Sequence, residues 1–279
     1  MHRNKKTAKT SGMKTKICLI FALFALFSGF LCPNCKKQAF AETENQPVMA
    51  IVIDDFGGYE RDGVNEMLSI NAPLTCAVIP FVEHTKEDSE RAISCGHEVI
   101  LHMPMESHVR LPESWYGPVC IKNYDSAQVA KEKIDRCLKE LPMAKGANIH
   151  IGSGVCRNKE LMAEIIAHLK EKGLYFCDSR THPDTKCKEA AIMSHAGYLY
   201  RDVFLEPHGM KSYQTAVRFL KECAKIAQEK GYSVAIGHVG KEGGHQTAMA
   251  IKNTLADIEA MGVKIVPLST ISQMVEKSV

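Results

Sequence analysis

The chain has 279 residues, of which 45% are apolar, 24% charged and 7% aromatic, an ordinary globular composition with room for one large α/β domain or two small ones. Its formal charge of +3 misleads, because the first 41 residues hold eight Lys or Arg and no acid, which leaves 27 basic against 32 acidic residues, or −5, in the remainder. A mildly acidic body without a basic run excludes the electrostatic footprint of a nucleic-acid-binding protein.

The basic start runs into the apolar stretch from Ile17 to Phe27 and ends at Ala39-Phe40-Ala41, the order of a secretory leader with a small-residue cleavage site. The apolar segment as far as Cys32 is shorter than the roughly 20 residues that span a bilayer. The expected organisation is a signal peptide or N-terminal anchor over 1–41, a short linker over 42–48 and a single folded body over 49–279. The body is then exported, periplasmic or otherwise outside the cytoplasmic membrane, and touches a membrane only through an uncleaved leader. Intact-mass analysis of protein from an exporting host should show a mature chain beginning near Glu42. A full-length, membrane-extracted species would support the anchor instead.

From residue 49 onward, strand-like runs alternate with helical spacing. The runs fall at 49–53, 74–79, 98–103, 147–151, 174–178, 198–205, 233–237 and 263–267. Helical spacing appears in Ile134, Cys137, Leu138 and Leu141, in Leu161, Met162, Ile165, Ile166 and Leu169, and in Val217, Leu220, Ala224 and Ala227. Gly173, Gly197, Gly231 and Gly262 each follow such a pattern, where a helix C-cap favours a left-handed residue. About eight unbroken β-α repeats predict a single α/β domain with a parallel sheet, closing as an irregular barrel of about seven to eight strands. Eight of the eleven cysteines lie in this body. Cys76 and Cys177 sit inside apolar runs as small hydrophobes, and export would permit others to pair.

The first run, Met49-Ala50-Ile51-Val52-Ile53, stops at Asp54-Asp55 and the turn residues Gly57-Gly58. Adjacent strand residues point to opposite faces, so both carboxylates reach one site only if the chain bends there, which the glycines permit. The other strand ends deliver Pro80, His102, His150, Asp178, Arg201 with Asp202, and His238. Chance capping would scatter Ser, Asn and Lys there, whereas ionisable groups gathered at the carboxyl ends of parallel strands mark an enzyme. Asp55, His102 and His150 form a two-His, one-carboxylate set suited to a divalent metal with an open position for water. The long aperiodic segment 104–126 leaves from the same face. Trp115, Tyr116 and Tyr124 on it either form a platform for sugar rings or pack the loop onto the barrel.

Several segments now carry a resemblance. Ile53-Asp54-Asp55-Phe56-Gly57, Ala72-Pro73-Leu74-Thr75, the run from Gly96-His97-Glu98 to Met105-Glu106 through His102, and His150-Ile151-Gly152-Ser153 come first. Phe176 to Thr181, Arg201 to Leu205, and Ile236-Gly237-His238 follow. In order and content they resemble the divergent polysaccharide deacetylases, exported bacterial relatives of the wider polysaccharide deacetylase superfamily. The resemblance implies an irregular (β/α) barrel, one divalent metal ion with zinc as the first candidate, and an acetylated glycan as substrate. It makes Asp54 the base and Asp55 a metal ligand. His102 is a ligand as well, and His150 replaces the second His that typical relatives carry where this chain has Glu106. Ile149 stands where an Asn is expected, which removes a substrate-side hydrogen bond. Asp178 and Arg180 are expected to orient Asp54, and His97 to make a supporting hydrogen bond. Ser153, Arg201, Asp202 and Trp115 belong to the substrate side or its support. His84, His108, His168, His182, His195, His208 and His245 fall on helix or loop patterns and are expected to be solvated, His208 being the one of most interest.

Hydrolysis needs a proton acceptor and a proton donor, and His238 on the strand paired in role with Asp54 is the expected acid. The predicted function is metal-dependent removal of N- or O-acyl groups from an envelope or extracellular polysaccharide. The alternative is a catalytically weak barrel that binds glycan or an envelope partner, in which Asp54 or His238 would fall outside the site. A two-carboxylate phosphatase fits less well, because no Lys stands at these strand ends.

Overall fold

The structure is a computed structural model that describes residues 46–207 and 211–277. Nine strands form the sheet: β1 (Val48–Phe56), β2 (Thr75–Val78), β3 (Glu98–Met105), β4 (Gly146–Ile151), β5 (Tyr175–Asp178), β6 (Leu199–Tyr200), β7 (Val203–Phe204), β8 (Tyr232–His238) and β9 (Lys264–Ile265). The order is β6-β5-β4-β3-β2-β1-β8-β7, with β9 also on β1, and the pairings are parallel. The α-helices are α1 (Val64–Leu68), α2 (Thr85–Ser94), α3 (Ala127–Glu140), α4 (Lys159–Glu171), α5 (Cys187–Met193), α6 (Tyr213–Lys230), α7 (Gly244–Ala260) and α8 (Leu268–Glu276). This is the expected irregular barrel in one domain, a parallel sheet curled on itself. The run expected as one strand over 198–205 is two. β6 pairs with β5 and β7 with β8, so the chain steps across the barrel seam at Arg201-Asp202.

Strand parity sorts the core into two layers. Ala50 and Val52 of β1, Ala77 of β2, Ile100 of β3, Cys177 of β5, Leu199 of β6 and Val234 and Ile236 of β8 pack together inside the curl, with Leu268, Ile271 and Val275 of α8 plugging its lower end. Met49, Ile51 and Ile53, together with Val99 and Leu101, face the helices instead. Because side chains alternate, the next inward positions after Val52, Ile100 and Ile236 are Asp54, His102 and His238. Hydrophobic packing below thus aims the chemistry above.

The lower end is braced by Glu98, whose carboxylate accepts from Thr75 Oγ1 (3.1 Å), Tyr175 OH (2.7 Å) and the Ser269 N–H in the first turn of α8 (3.1 Å). A carboxylate there satisfies an orphan helix donor and suits the helix dipole. Gly173, Gly231 and Gly262 take the expected left-handed conformation, whereas near Gly197 it is His195 that does so, at φ 51°. The eight described cysteines are free and, apart from Cys95, buried, with Cys76 and Cys177 fully so.

After β1 the turn is tied down by Asp88 of α2, which is fully buried and accepts from Gly57 N–H (2.8 Å) and both terminal nitrogens of Arg61. Replacing Asp88 by Ala leaves a backbone donor and a guanidinium without their acceptor. The expected loss is about 2–3 kcal/mol, read as a lower urea midpoint at unchanged slope.

Candidate active site

Asp55 has φ 70°, and the β1–β2 register shifts between Ile53 and Phe56. The expected bend begins at Asp55 itself and continues through Gly57, which is also left-handed at φ 88°. A non-glycine residue held left-handed stores strain, which persists where surrounding structure fixes it and gathers at functional sites. The bulge brings Asp55 to the same side as Asp54, breaking the alternation that would part them.

Asp55, His102 and His150 converge, their candidate ligand atoms lying within 4.8 Å of one another. Asp55 Oδ1 lies 3.3 Å from His102 Nε2 and 3.2 Å from His150 Nδ1, and the two rings meet edge to face at 4.8 Å. Each imidazole's outward nitrogen is occupied. His102 Nδ1–H donates to Asn148 Oδ1 (2.7 Å), and His150 Nε2–H donates to the carbonyl of Trp115 (2.9 Å). Those bonds leave both inward nitrogens with a lone pair pointed at a carboxylate oxygen, an arrangement that is repulsive unless a proton or a cation sits between them. Burial works against charge here, yet the adjoining His102 and His150 imidazoles hold the Asp55 carboxyl well below the usual carboxylate range. Burial also opposes a charged His102, but the Asp54 and Asp55 carboxylates raise it above the ordinary imidazole value. The donor set, the fixed tautomers and this electrostatic preference for positive charge fit a divalent ion.

Asn148 joins this set to the expected base. Its Nδ2 donates to Asp54 Oδ1 (2.8 Å) while its Oδ1 holds His102, and Asp54 Oδ2 lies 3.8 Å from His102 Nε2. Asn148 is fully buried, two residues before His150 and on the same strand face. The Asn that the resemblance implies at position 149 is Ile149 here, and its parity sends it to the helix side. Across the β1–β8 pair, His238 stands opposite Asp54 in register. Its Nδ1–H donates to Glu206 Oε2 (3.1 Å), and Glu206 Oε1 also accepts from Thr247 Oγ1 and the His238 N–H. Glu206, buried just past β7, is the second group that sequence reading missed. Burial of His238 opposes its charge, but Glu206 and the Asp55 and Asp54 carboxylates outweigh this and push its pKa up to about 9.

Other expectations are corrected. Asp178 does not orient Asp54. Cys177 faces the interior, so Asp178 faces outward, where it accepts from the Arg180 N–H (2.8 Å), Tyr198 OH (3.0 Å) and Thr185 Oγ1 (3.1 Å). Arg180 lies over the Tyr200 ring, and Arg201 donates to the carbonyls of Ser179 and Arg180. Asp202 is at the lower end of β7, bound to Lys230 Nζ (2.7 Å) and the Val234 N–H (2.9 Å). His97 lies below as well, its Nε2 against the Leu68 carbonyl (3.1 Å). Ser153 ties down the loop after β3, through Ser107 Oγ (3.0 Å) and His108 Nδ1 (2.8 Å). Trp115 holds His150 by its carbonyl and exposes its indole, Tyr124 is exposed, and Tyr116 is buried as a loop anchor bonded to the Ser107 N–H. His168 is largely buried against Asp135 (2.7 Å) and not solvated. His208 and the leader with its cleavage site lie outside the described residues.

A curled parallel sheet with carboxylates and imidazoles on its upper rim defines a deacetylase-like (β/α) barrel. More narrowly, the chain belongs to the divergent polysaccharide deacetylase family, whose sequence pattern matches residues 51–272. It is 31% identical over 194 residues to the uncharacterized protein YibQ of Escherichia coli, covering 68% of this chain and 58% of that protein's length. An uncharacterized Haemophilus influenzae protein is 26% identical over 255 residues, covering 91% of this chain and 83% of the other. Among solved structures, the uncharacterized protein ATU2773 of Agrobacterium tumefaciens superposes with TM-score 0.73 at 19% identity, over 81% of this chain and 89% of that one. The catalytic domain of a peptidoglycan N-acetylglucosamine deacetylase from Eubacterium rectale does so with TM-score 0.53 at 15% identity, over 79% and 88%. These likenesses establish the fold.

Proposed function

We propose that this protein is an exported, metal-dependent hydrolase that removes acyl groups from a polysaccharide of the envelope or of the cell exterior. The observation that carries the reading is the convergence of Asp54, Asp55, His102, His150 and His238 on one rim, each held by a named partner. Asp55, His102 and His150 would hold one divalent ion, with zinc the first candidate. When bound, that ion supplies the positive charge that polarises the acyl carbonyl and acidifies water. Asp54, aligned by the Asn148 amide, takes the proton from the attacking water. His238 delivers a proton to the departing sugar nitrogen or oxygen, and Glu206 fixes the tautomer that presents Nε2 to it. The family supports a carbohydrate substrate, and the Eubacterium rectale relative's N-acetylglucosamine substrate suggests an N-acyl sugar as the first to test.

Acetate release from a panel of N- and O-acetylated glycans tests the proposal. Metal-loaded protein should release acetate from at least one of them. Tight glycan binding without any release would instead support the binding-protein alternative, which the placement of both Asp54 and His238 at the site disfavours.

A further inference from the structure

Asp55 and Gly57 are both left-handed, and they flank Phe56, whose side chain is fully buried. The conformation is unstrained at the glycine but strained at Asp55, so it persists there only where neighbouring contacts fix it. The Phe56 carbonyl accepts from the Ile79 N–H (2.9 Å), and the Gly57 carbonyl accepts from the His84 N–H (3.0 Å). The Gly57 N–H donates to Asp88 Oδ2 (2.8 Å). Space around this turn is tight, since a Cβ at Gly57 would stand 3.1 Å from both the Ile79 carbonyl oxygen and Thr85 Cα.

Asp88 is fully buried, and a buried carboxylate keeps its charge only beside a partner of opposite sign. Arg61, four residues beyond Gly57, supplies that partner, its two terminal nitrogens meeting the two carboxylate oxygens. Arg91 Nη1 lies farther off, 3.9 Å from Asp88 Oδ1, and Arg91 Nη2 donates to Asn65 Oδ1 (2.6 Å). The loop after β1 thus clamps its own origin. Arg61 sustains the charge on Asp88, Asp88 draws in the Gly57 N–H, and that bond holds the turn that aims Asp55. Asp62 grips the opposite flank of the loop. Its carboxylate accepts from the His245 N–H (3.0 Å) and its carbonyl from the Gly240 N–H (2.8 Å), both on the chain that follows His238.

We infer, on the reading that Asp55, His102 and His150 hold a divalent ion, that Arg61 is a positioning residue for Asp55, acting through Asp88 and the Gly57 N–H. Cobalt(II) titration of metal-free protein, followed by visible absorption, reads both affinity and ligand geometry without turnover. Arg61→Ala should weaken cobalt binding about 10-fold and alter the absorption spectrum of the fully loaded site, an effect of the size that a ligand's supporting partners exert. Arg61→Lys should restore only part of the loss, because an ammonium cannot meet both carboxylate oxygens as the guanidinium fork does. Should the alanine variant not fold, the lysine variant carries the same comparison with a smaller effect. Arg61→Ala added to Asp88→Ala should weaken binding no further than Asp88→Ala by itself, as two changes along one chain of contacts require. Two comparators separate this role from general loosening. Asp62→Ala frees the other flank of the same loop, and Tyr175→Phe removes a bond to Glu98 at the lower end of the barrel. Both should keep the parent's affinity and spectrum. Parent affinity and spectrum in the Arg61 variants, or equal losses in either comparator, would overturn the role and leave the metal site standing. Parent protein that binds no cobalt would instead overturn the metal reading, and the role of Arg61 with it.

Discussion

His238→Ala is expected to lower kcat for acetate release by about 10²–10⁴-fold while leaving bound metal in place. The side chain stands opposite Asp54 across the paired strands and makes its described polar contact with Glu206, away from the Asp55–His102–His150 set. The pH profile gives a second handle. A pKa raised to about 9 keeps the imidazole protonated through neutral pH, so proton donation is fully available below that value and is lost as pH rises through it. A cation bound nearby opposes this and moves the descending limb of kcat/KM toward neutrality. Glu206→Gln removes the hydrogen-bonded charge that sustains the protonated form, so its descending limb should shift to lower pH relative to the parent. An active His238→Ala enzyme with an unchanged profile would show that another residue is the acid.

His150→Ala is expected to reduce metal affinity by well over 100-fold, because losing a ligand exceeds the 10–100-fold cost typical of losing a ligand's supporting partner. Asn148→Ala should fall within that smaller range, since Asn148 orients His102 and Asp54 without belonging to the ligand set. The fold should survive the His150 change, because that ring stands on the rim above the apolar interior and is partly exposed. Trp115 supplies a readout independent of activity. It is the only tryptophan in the chain, its indole is exposed, and its carbonyl holds the His150 ring. Zinc added to metal-free parent protein should change its fluorescence with the same midpoint as calorimetric binding, and the change should vanish in His150→Ala. Full metal occupancy in that variant would remove His150 from the ligand set.

The apolar run ahead of Asp54-Asp55 and the alternation within β3 and β8 made the rim legible, because a strand buried on both faces leaves a clear signature and its last inward residue is fixed by parity. Legibility failed where parity itself was broken or concealed. The left-handed conformation at Asp55 has no glycine at that position to announce it. Two-residue strands have no period to read, so the seam between β6 and β7 was invisible, and with it the position of Glu206. Asp178 looked like a rim residue because it ends a strand, yet its face was decided by Cys177 turning inward. Asn148 and Ile149 show the same lesson at one residue's offset, since only the member sharing a face with His150 reaches the site. Glu98, on the same strand as His102, serves the opposite end of the barrel by closing α8 against it.

The most direct measurement is acetate release by the parent protein before chelation, after chelation and after metal is restored, on the glycan that the panel identifies. Activity should disappear with the metal and return on adding about one equivalent of zinc or another divalent ion per chain, as one three-ligand site requires. Undiminished release by metal-free protein would contradict the metal-dependent account.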